Sequence, residues 1–206
     1  MGRPKEWLPI GGECLLQRVV RVVSEAVRPV VVAARRGQEL PPLPTDVAVV
    51  HDAVEDFGPL AGIAAGMDVL GGRCESTLVV SCDHPFLPRA IIEKLIESLG
   101  NHRAVVVGDG EQLYPLLGVY RMETRSVLED MIARGEHRAR WFAEECGAKV
   151  ISSEALRAVD PQLGCLKNIN DPRSYAEVVE SENRRDFKAA ARPGGGGRRA
   201  SDQWSR

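Results

Sequence analysis

Short runs of uninterrupted apolar residues, each set off from the next by a stretch of helical spacing, constrain this chain more than any other feature. VVVAA at 30–34, DVAVV at 46–50, TLVVSC at 77–82 and AVVVG at 104–108 lack the strict alternation of a half-solvated strand, so both faces of each are expected to be covered. Between them Leu15, Val19, Val22, Val23 and Ala26 recur at helical intervals, as do Leu60, Ile63, Met67 and Leu70, and then Ile91, Ile92, Leu95 and Ile96. Pro29 ends the first of these helices, Pro59 sits in the first turn of the second, and Pro88 opens the third. Strands alternating with helices predict a parallel sheet covered on both faces, with right-handed crossovers and any ligand at the carboxyl ends of the strands.

After Gly108 the rhythm changes. YPLLGVYR at 114–121 follows its predecessor too closely for a helical crossover, so it is expected to pair antiparallel. Helices at 124–133 and 137–145, a strand in AKVIS at 148–152 and a helix beginning near Pro172 complete the pattern. The fold class is α/β: a doubly wound, mostly parallel Rossmann-like sheet with one antiparallel strand. Residues 1–182 form that domain, and the basic, glycine-rich stretch at 183–206 reads as a disordered tail.

Composition narrows the function. A net charge of −2 argues against a general nucleic-acid or membrane-surface role, and no apolar run nears the ~20 residues of a membrane span. The cysteines, Cys14, Cys74, Cys82, Cys146 and Cys165, are odd in number and scattered without a CxxC pair. Reduced thiols in a cytoplasmic protein fit them better than a disulfide scaffold or a zinc site.

The loops at the strand ends hold the candidate chemistry. HDAVEDFGPLAGI leaves its strand with Asp52, and SCDHPFLP leaves its strand with Asp83. An acid just after a buried strand sits where a metal-bound phosphate would lie, since Mg²⁺ takes one or two carboxylates and completes its shell with water and phosphate. It can equally cap a turn. Gly58, Gly62 and Gly66 allow close packing of a helix on the sheet, and Gly58-Pro59 also lets an anion approach a helix N-terminus. Lys5, one of only five lysines, is either a solvated side chain or a phosphate partner.

Taken in order, MGRPKEWLPIGGECLLQRVV, HDAVEDFGPLAGI, SCDHPFLP, YPLLGVYR and NINDPRSY resemble the molybdenum cofactor guanylyltransferases, a branch of the nucleotidyltransferases with the nucleotide-diphospho-sugar transferase fold. The resemblance spans residues 1 to about 182, and FGPLAGI is its most specific piece. It implies transfer of GMP from GTP to the terminal phosphate of molybdopterin, with Mg²⁺ present and pyrophosphate released. By the same resemblance Asp83 would hold the metal and Lys5 would neutralise the departing pyrophosphate. Asp52 and the Gly58-Pro59-Leu60 turn would border the guanosine. Asn168, Asn170, Arg138 and Arg140 would face the pterin side, Asn170 as a second contact for metal or phosphate or, equally, as a cap of the helix at Pro172. Partners would be GTP and molybdopterin, with transient contacts to cofactor carriers or acceptor enzymes. Where relatives often carry an asparagine after the second strand, this chain has Ala33, which leaves base preference to be tested unless Arg35 or Arg36 substitutes.

In such proteins MGxxK ends a longer signature, LAGGxSxRMGxxK, that follows a first strand. This chain begins at the methionine within it. The resemblance therefore implies an N-terminally incomplete domain, lacking a strand, a glycine-rich turn and an arginine. Either Met1 is an internal methionine or the chain is a true truncation. A central strand supplies ladder hydrogen bonds of about 1 kcal/mol net each and buried side chains of ~1.5–3 kcal/mol apiece. Its loss from a typical net stability of roughly 5–15 kcal/mol favours the internal methionine. Two alternatives remain open: a related cytidylyl- or sugar-phosphate nucleotidyltransferase, and a non-catalytic molybdopterin-binding relative.

Overall fold

The apolar runs fold as strands and the spaced segments as helices in the computed structural model, which describes residues 4–52, 57–169 and 171–180. A short hairpin of β1 (Pro9–Ile10) and β2 (Glu13–Cys14) leads into α1 (Leu15–Ala26), then β3 (Val30–Ala34) and β4 (Val47–His51). Next come α2 (Pro59–Leu70), β5 (Ser76–Val80), α3 (Arg89–Leu99), β6 (Ala104–Asp109) and β7 (Gln112–Arg121). The chain continues through α4 (Arg125–Ala133), α5 (Ala139–Glu145), β8 (Lys149–Ser152) and the single turn α6 (Ser153–Leu156), and a helix α7 occupies residues 172–180. The expected tail from 183 lies outside the described residues.

The expected alternation holds, and a hairpin precedes it: Cys14 closes the hairpin and caps α1, its backbone N–H donating to the Gln17 side chain at 2.8 Å. β5 and β6 both run antiparallel to β7, and β8 runs parallel to β6, giving the order β5-β7-β6-β8. YPLLGVYR is thus the opposed strand, as its short connection requires. β3 and β4 pair in parallel as a separate ribbon.

Helices cover both faces. Val22, Val23 and Ala26 of α1 pack with Ile91, Ile92 and Leu95 of α3 on one side. Leu60 and Met67 of α2 meet Leu128, Met131 and Phe142 on the other, where the rings of Tyr120 and Phe142 stack at 4.8 Å. Burying each such aliphatic side chain contributes about 1.5–3 kcal/mol. A third cluster joins the chain's two ends: Leu8, Ile10 and Leu15 pack with Phe86, Ile169 and Val178.

Burial differs among the strands in a way that continuous apolarity does not foretell. Val105, Val106 and Val107 of β6 are fully enclosed, whereas every residue of β5 is only half-buried and Ala33 of β3 is exposed. β4 is an edge strand, with Val49 in solvent. β3 and β5 have another reason. Among the described residues β3 pairs only with β4 and β5 only with β7. Residues of both strands line one cavity of about 650 Å³.

Candidate active site at the strand ends

The carboxyl ends of β3 and β5 converge on one short segment, the 3₁₀ turn Lys5–Trp7. Gln38, just past β3, donates through Nε2 to Glu6 Oε1 at 2.6 Å. Lys5 Nζ donates to Oδ2 of Asp83, just past β5, at 3.3 Å. Neighbouring residues thus bridge the same ends of both strands, so β3 and β5 run in the same direction. The predicted pair Lys5 and Asp83, 78 positions apart, is brought together.

Asp83 is largely enclosed, with 16% of its side chain exposed. Burial works against its charged form, but a hydrogen bond from Ser81 and the charges of His84 and Lys5 outweigh it, and the pKa falls below the ordinary value. His84 is neutral at pH 7, because burial pushes its own pKa below the usual histidine value. Ser81 and Lys5 therefore carry the stabilisation at neutral pH. While Oδ2 meets Lys5, Oδ1 is buried without a hydrogen-bond partner. A second buried acceptor is in the same state: Oδ1 of Asn168. The neighbouring Ile169 N–H reaches the Asp83 carbonyl at 3.4 Å, which sets Asn168 beside the Asp83 turn. A carboxylate oxygen and an amide oxygen with no donor between them suit a hard cation such as Mg²⁺, whose ligands are oxygens.

The nucleotide-side candidates lie at the end of β4 and the start of α2. Asp52 follows β4, its N–H donating to the Ala34 carbonyl at 3.1 Å, and it lines the cavity together with Gly58 and Pro59. Gly58 has φ +70° and ψ −157°, a conformation that side chains other than glycine's rarely adopt, and Pro59 then starts α2. That turn leaves the first N–H groups of α2 free of intrahelical partners. Leu60 is fully buried and anchors the turn from the core.

The pterin-side candidates are more dispersed. Arg138 forms a two-pronged pair with Glu136 at 2.7 and 2.8 Å and lies 3.2 Å over the Trp141 ring. It adjoins the Gly58 turn through His137, whose ring meets Phe57 edge-on at 6.3 Å. Arg140 is held by Glu144 and by the Glu111 carbonyl. Asn170 lies outside the described residues. Sequence reasoning missed His84, 3% exposed, and Glu6, which ties β3 to the 3₁₀ turn; His84 stands inside CDHPFLP, but nothing local marks it as buried.

Comparison with known proteins gives the family. The chain is 36% identical to the molybdenum cofactor guanylyltransferase of Pseudomonas putida over 179 residues, 83% of this chain and 86% of that protein. It is 28% identical to a probable molybdenum cofactor guanylyltransferase of Pelotomaculum thermopropionicum over 186 residues, 90% of this chain and 89% of that one. In fold it is similar to the molybdopterin-guanine dinucleotide biosynthesis protein A of Archaeoglobus fulgidus, with a TM-score of 0.74 at 22% identity, covering 89% of this chain and 92% of that chain. Residues 1–150, with Lys5, Asp52, the Gly58 turn and Asp83 among them, match the MobA-like NTP transferase domain, and to that family of nucleotidyltransferases the chain belongs.

Proposed function

We propose that this protein transfers GMP from GTP to the terminal phosphate of molybdopterin. A phosphate oxygen of molybdopterin attacks the α-phosphorus of GTP, the bond from that phosphorus to the bridging oxygen breaks, and pyrophosphate leaves with the bond's electrons. Both reactants are anions, so the reaction needs charge neutralisation and alignment more than acid–base chemistry. One observation carries the reading: Lys5 and Asp83 are joined at the strand ends while Asp83 Oδ1, like Asn168 Oδ1 beside it, is buried without a donor.

Each residue then has a part. Asp83 and Asn168 would hold a divalent cation, Mg²⁺ by preference, which when bound neutralises phosphate charge. Lys5 supplies a fixed cation on the pyrophosphate side. Asp52 and the Gly58-Pro59-Leu60 turn border the guanosine, the free N–H groups of α2 facing anionic or carbonyl oxygens. Arg138, beside that turn, is the better placed of the two arginines for the molybdopterin phosphate. The reading of residues 1–182 as one domain is supported by Tyr175 of α7, which donates its hydroxyl to the Pro9 carbonyl at 2.6 Å. Among the described residues no helix is long and apolar enough to cross a membrane, and all five cysteines are free, which supports the cytoplasm as the setting.

The test is release of pyrophosphate from GTP, with and without molybdopterin, in competition with CTP. Molybdopterin-dependent release from GTP that CTP does not match is the expected result. Preference for CTP would transfer the reading to a cytidylyltransferase. Binding of molybdopterin with no release from either nucleotide would leave a binding protein.

A further inference from the structure

The carboxyl end of β6 lies beside the cation site and has been given no part in it. β5 and β6 flank β7 and both run opposed to it, so Asp83, past β5, and Asp109, closing β6, leave the sheet at the same end. Their strands stand about 10 Å apart, two sheet spacings. Tyr114 of β7 stands between them. Its ring meets His84, the neighbour of Asp83, edge-on at 6.4 Å. It also senses Asp109: burial and then the Asp109 charge raise its pKa. Val105 and Val107 of β6 pack with Tyr114 and Cys165 on the α3 side, and strand alternation sets Asp109 on that same face. The Asp109 carboxylate is fixed without being neutralised. The buried Ser153 hydroxyl donates to its Oδ1 at 2.6 Å, and a carboxylate oxygen accepts more than one hydrogen bond. Among the described residues no cation pairs with Asp109, no donor reaches its Oδ2, and the Tyr114 hydroxyl has no partner. One row of contacts therefore runs from Lys5 and Asp83 through His84 and Tyr114 to an exposed, oriented acid.

We infer that Asp109, oriented by Ser153, determines specificity for the acceptor by reading the amino-lactam edge of its pterin, and that Tyr114 borders the fused rings between that edge and the phosphate. The inference rests on the reading of the site proposed above. Molybdopterin carries its phosphate at one end and, across its fused rings, a 2-amino group and a ring N3–H at the other. Those two N–H groups are parallel donors, and they match the two oxygens of one carboxylate in a bidentate pair, the strongest kind of neutral-to-charged hydrogen bonding available here. The polarity of the row fits that molecule in one orientation only. Its cationic end, at Lys5 and the oxygen pair suited to a metal, takes the phosphate. Its acidic end repels a phosphate and accepts N–H donors. Ser153 makes the acid selective by holding the carboxylate in place before the substrate arrives, so little rotamer freedom is lost on binding. Guanine has the same amino-lactam edge, and the test separates the two.

The test uses Asp109→Asn in the full chain, which keeps an acceptor for Ser153 but sets an N–H donor against the donors of the pterin. Two probes are compared by quenching of their own fluorescence: 6-hydroxymethylpterin phosphate and its lumazine counterpart, in which an oxo group replaces the 2-amino group. The parent should bind the pterin probe at least ~10-fold more tightly, since a site built around a ligand's N–H donors rejects the analogue that lacks them. Asp109→Asn should lose that preference and Ser153→Ala part of it. In turnover, Asp109→Asn should raise the KM for molybdopterin by a similar factor and leave the KM for GTP unchanged. Equal binding of the two probes by the parent, binding of neither, or a preference retained in Asp109→Asn would overturn the proposal. A raised KM for GTP alone would overturn it in favour of guanine. A lower Tm in both variants with the pterin preference intact would reduce Asp109 and Ser153 to a tie between β6 and α6. Pyrophosphate release without a probe preference removes this inference and keeps the proposed function, and a probe preference without release from GTP does the reverse.

Discussion

The Nδ1 of His84 donates to the carbonyl oxygen of Cys165 at 2.9 Å, joining positions 81 residues apart beneath the site. Because a carbonyl can only accept, this nitrogen carries the proton, and the neutral ring turns its Nε2 lone pair toward Asp83, 3.8 Å from Oδ1. The bond fastens the turn that carries Asp83 to the segment that carries Asn168. It therefore sets the spacing of the two buried acceptors.

Replacing His84 should loosen that fastening in a graded way. In His84→Leu the Cys165 carbonyl is left buried without a donor, a loss of about 1–3 kcal/mol. His84→Asn keeps an N–H near the Nδ1 position and should recover part of it. Urea denaturation measures the stability, and Mn²⁺ titration measures the cation site. Equal behaviour of the two variants in both experiments would remove His84 from any positioning role.

Asp83→Ala should leave the fold intact and reduce turnover by at least ~10²-fold, the usual cost of removing a charge-stabilising group. Circular dichroism and pyrophosphate release with GTP check the two halves of that statement. Turnover within a few-fold of the parent would exclude Asp83 from the cation site.

How much of this was legible in the sequence depends on distance along the chain. β7 could be read as antiparallel because only Gly110 and Glu111 separate it from β6, and no crossover fits in that space. α2 could be placed from Pro59 and the helical spacing of Leu60, Ile63, Met67 and Leu70. The Lys5–Asp83 pair was reached through resemblance, not periodicity. Beyond reach were the β1–β2 hairpin and α6, each too short for a period to register. The half-burial of β3 and β5 was equally hidden, since their residues are as apolar as those of β6 and the difference is what stands beside them. His84 and Asn168 acquire their roles from segments folded back from the far end of the chain.

Gly118 is the core position where a single methyl group should do most harm. A Cβ there would stand 2.5 Å from the Val105 carbonyl oxygen and 2.9 Å from Val106 Cγ1, in the ladder between β6 and β7. The oxygen belongs to backbone that cannot step aside without breaking strand pairing. Gly118→Ala is expected to cost at least ~1–3 kcal/mol, the range for overpacking. Chemical denaturation would show it as a lower midpoint with unchanged slope.

The buried thiols should be inert. Burial pushes Cys146 and Cys165 up to about 12, so neither holds appreciable thiolate at pH 8. Cys14 and Cys74 are only half-buried. Alkylation read by mass spectrometry should label these first, and Cys146 and Cys165 only at the rate of unfolding.

Acid should loosen the tie between the hairpin and α1. Glu13 of β2 pairs with Arg18 and Arg21, each at 2.9 Å. Burial works against its carboxylate, but the hydrogen bonds and charges of the two arginines outweigh it and lower its pKa from the ordinary 4.5. A carboxylate with a lowered folded pKa stabilises the fold fully above its unfolded value and loses that contribution as pH falls through the folded one. Partial exposure limits the pair to about 1 kcal/mol or less. Glu13→Gln should therefore lower the Tm slightly at pH 7, and the difference from the parent should vanish as pH drops below 4.5. Thermal melts at a series of pH values test this, and a difference that persists unchanged at pH 3 would mean that Glu13 acts through packing rather than charge.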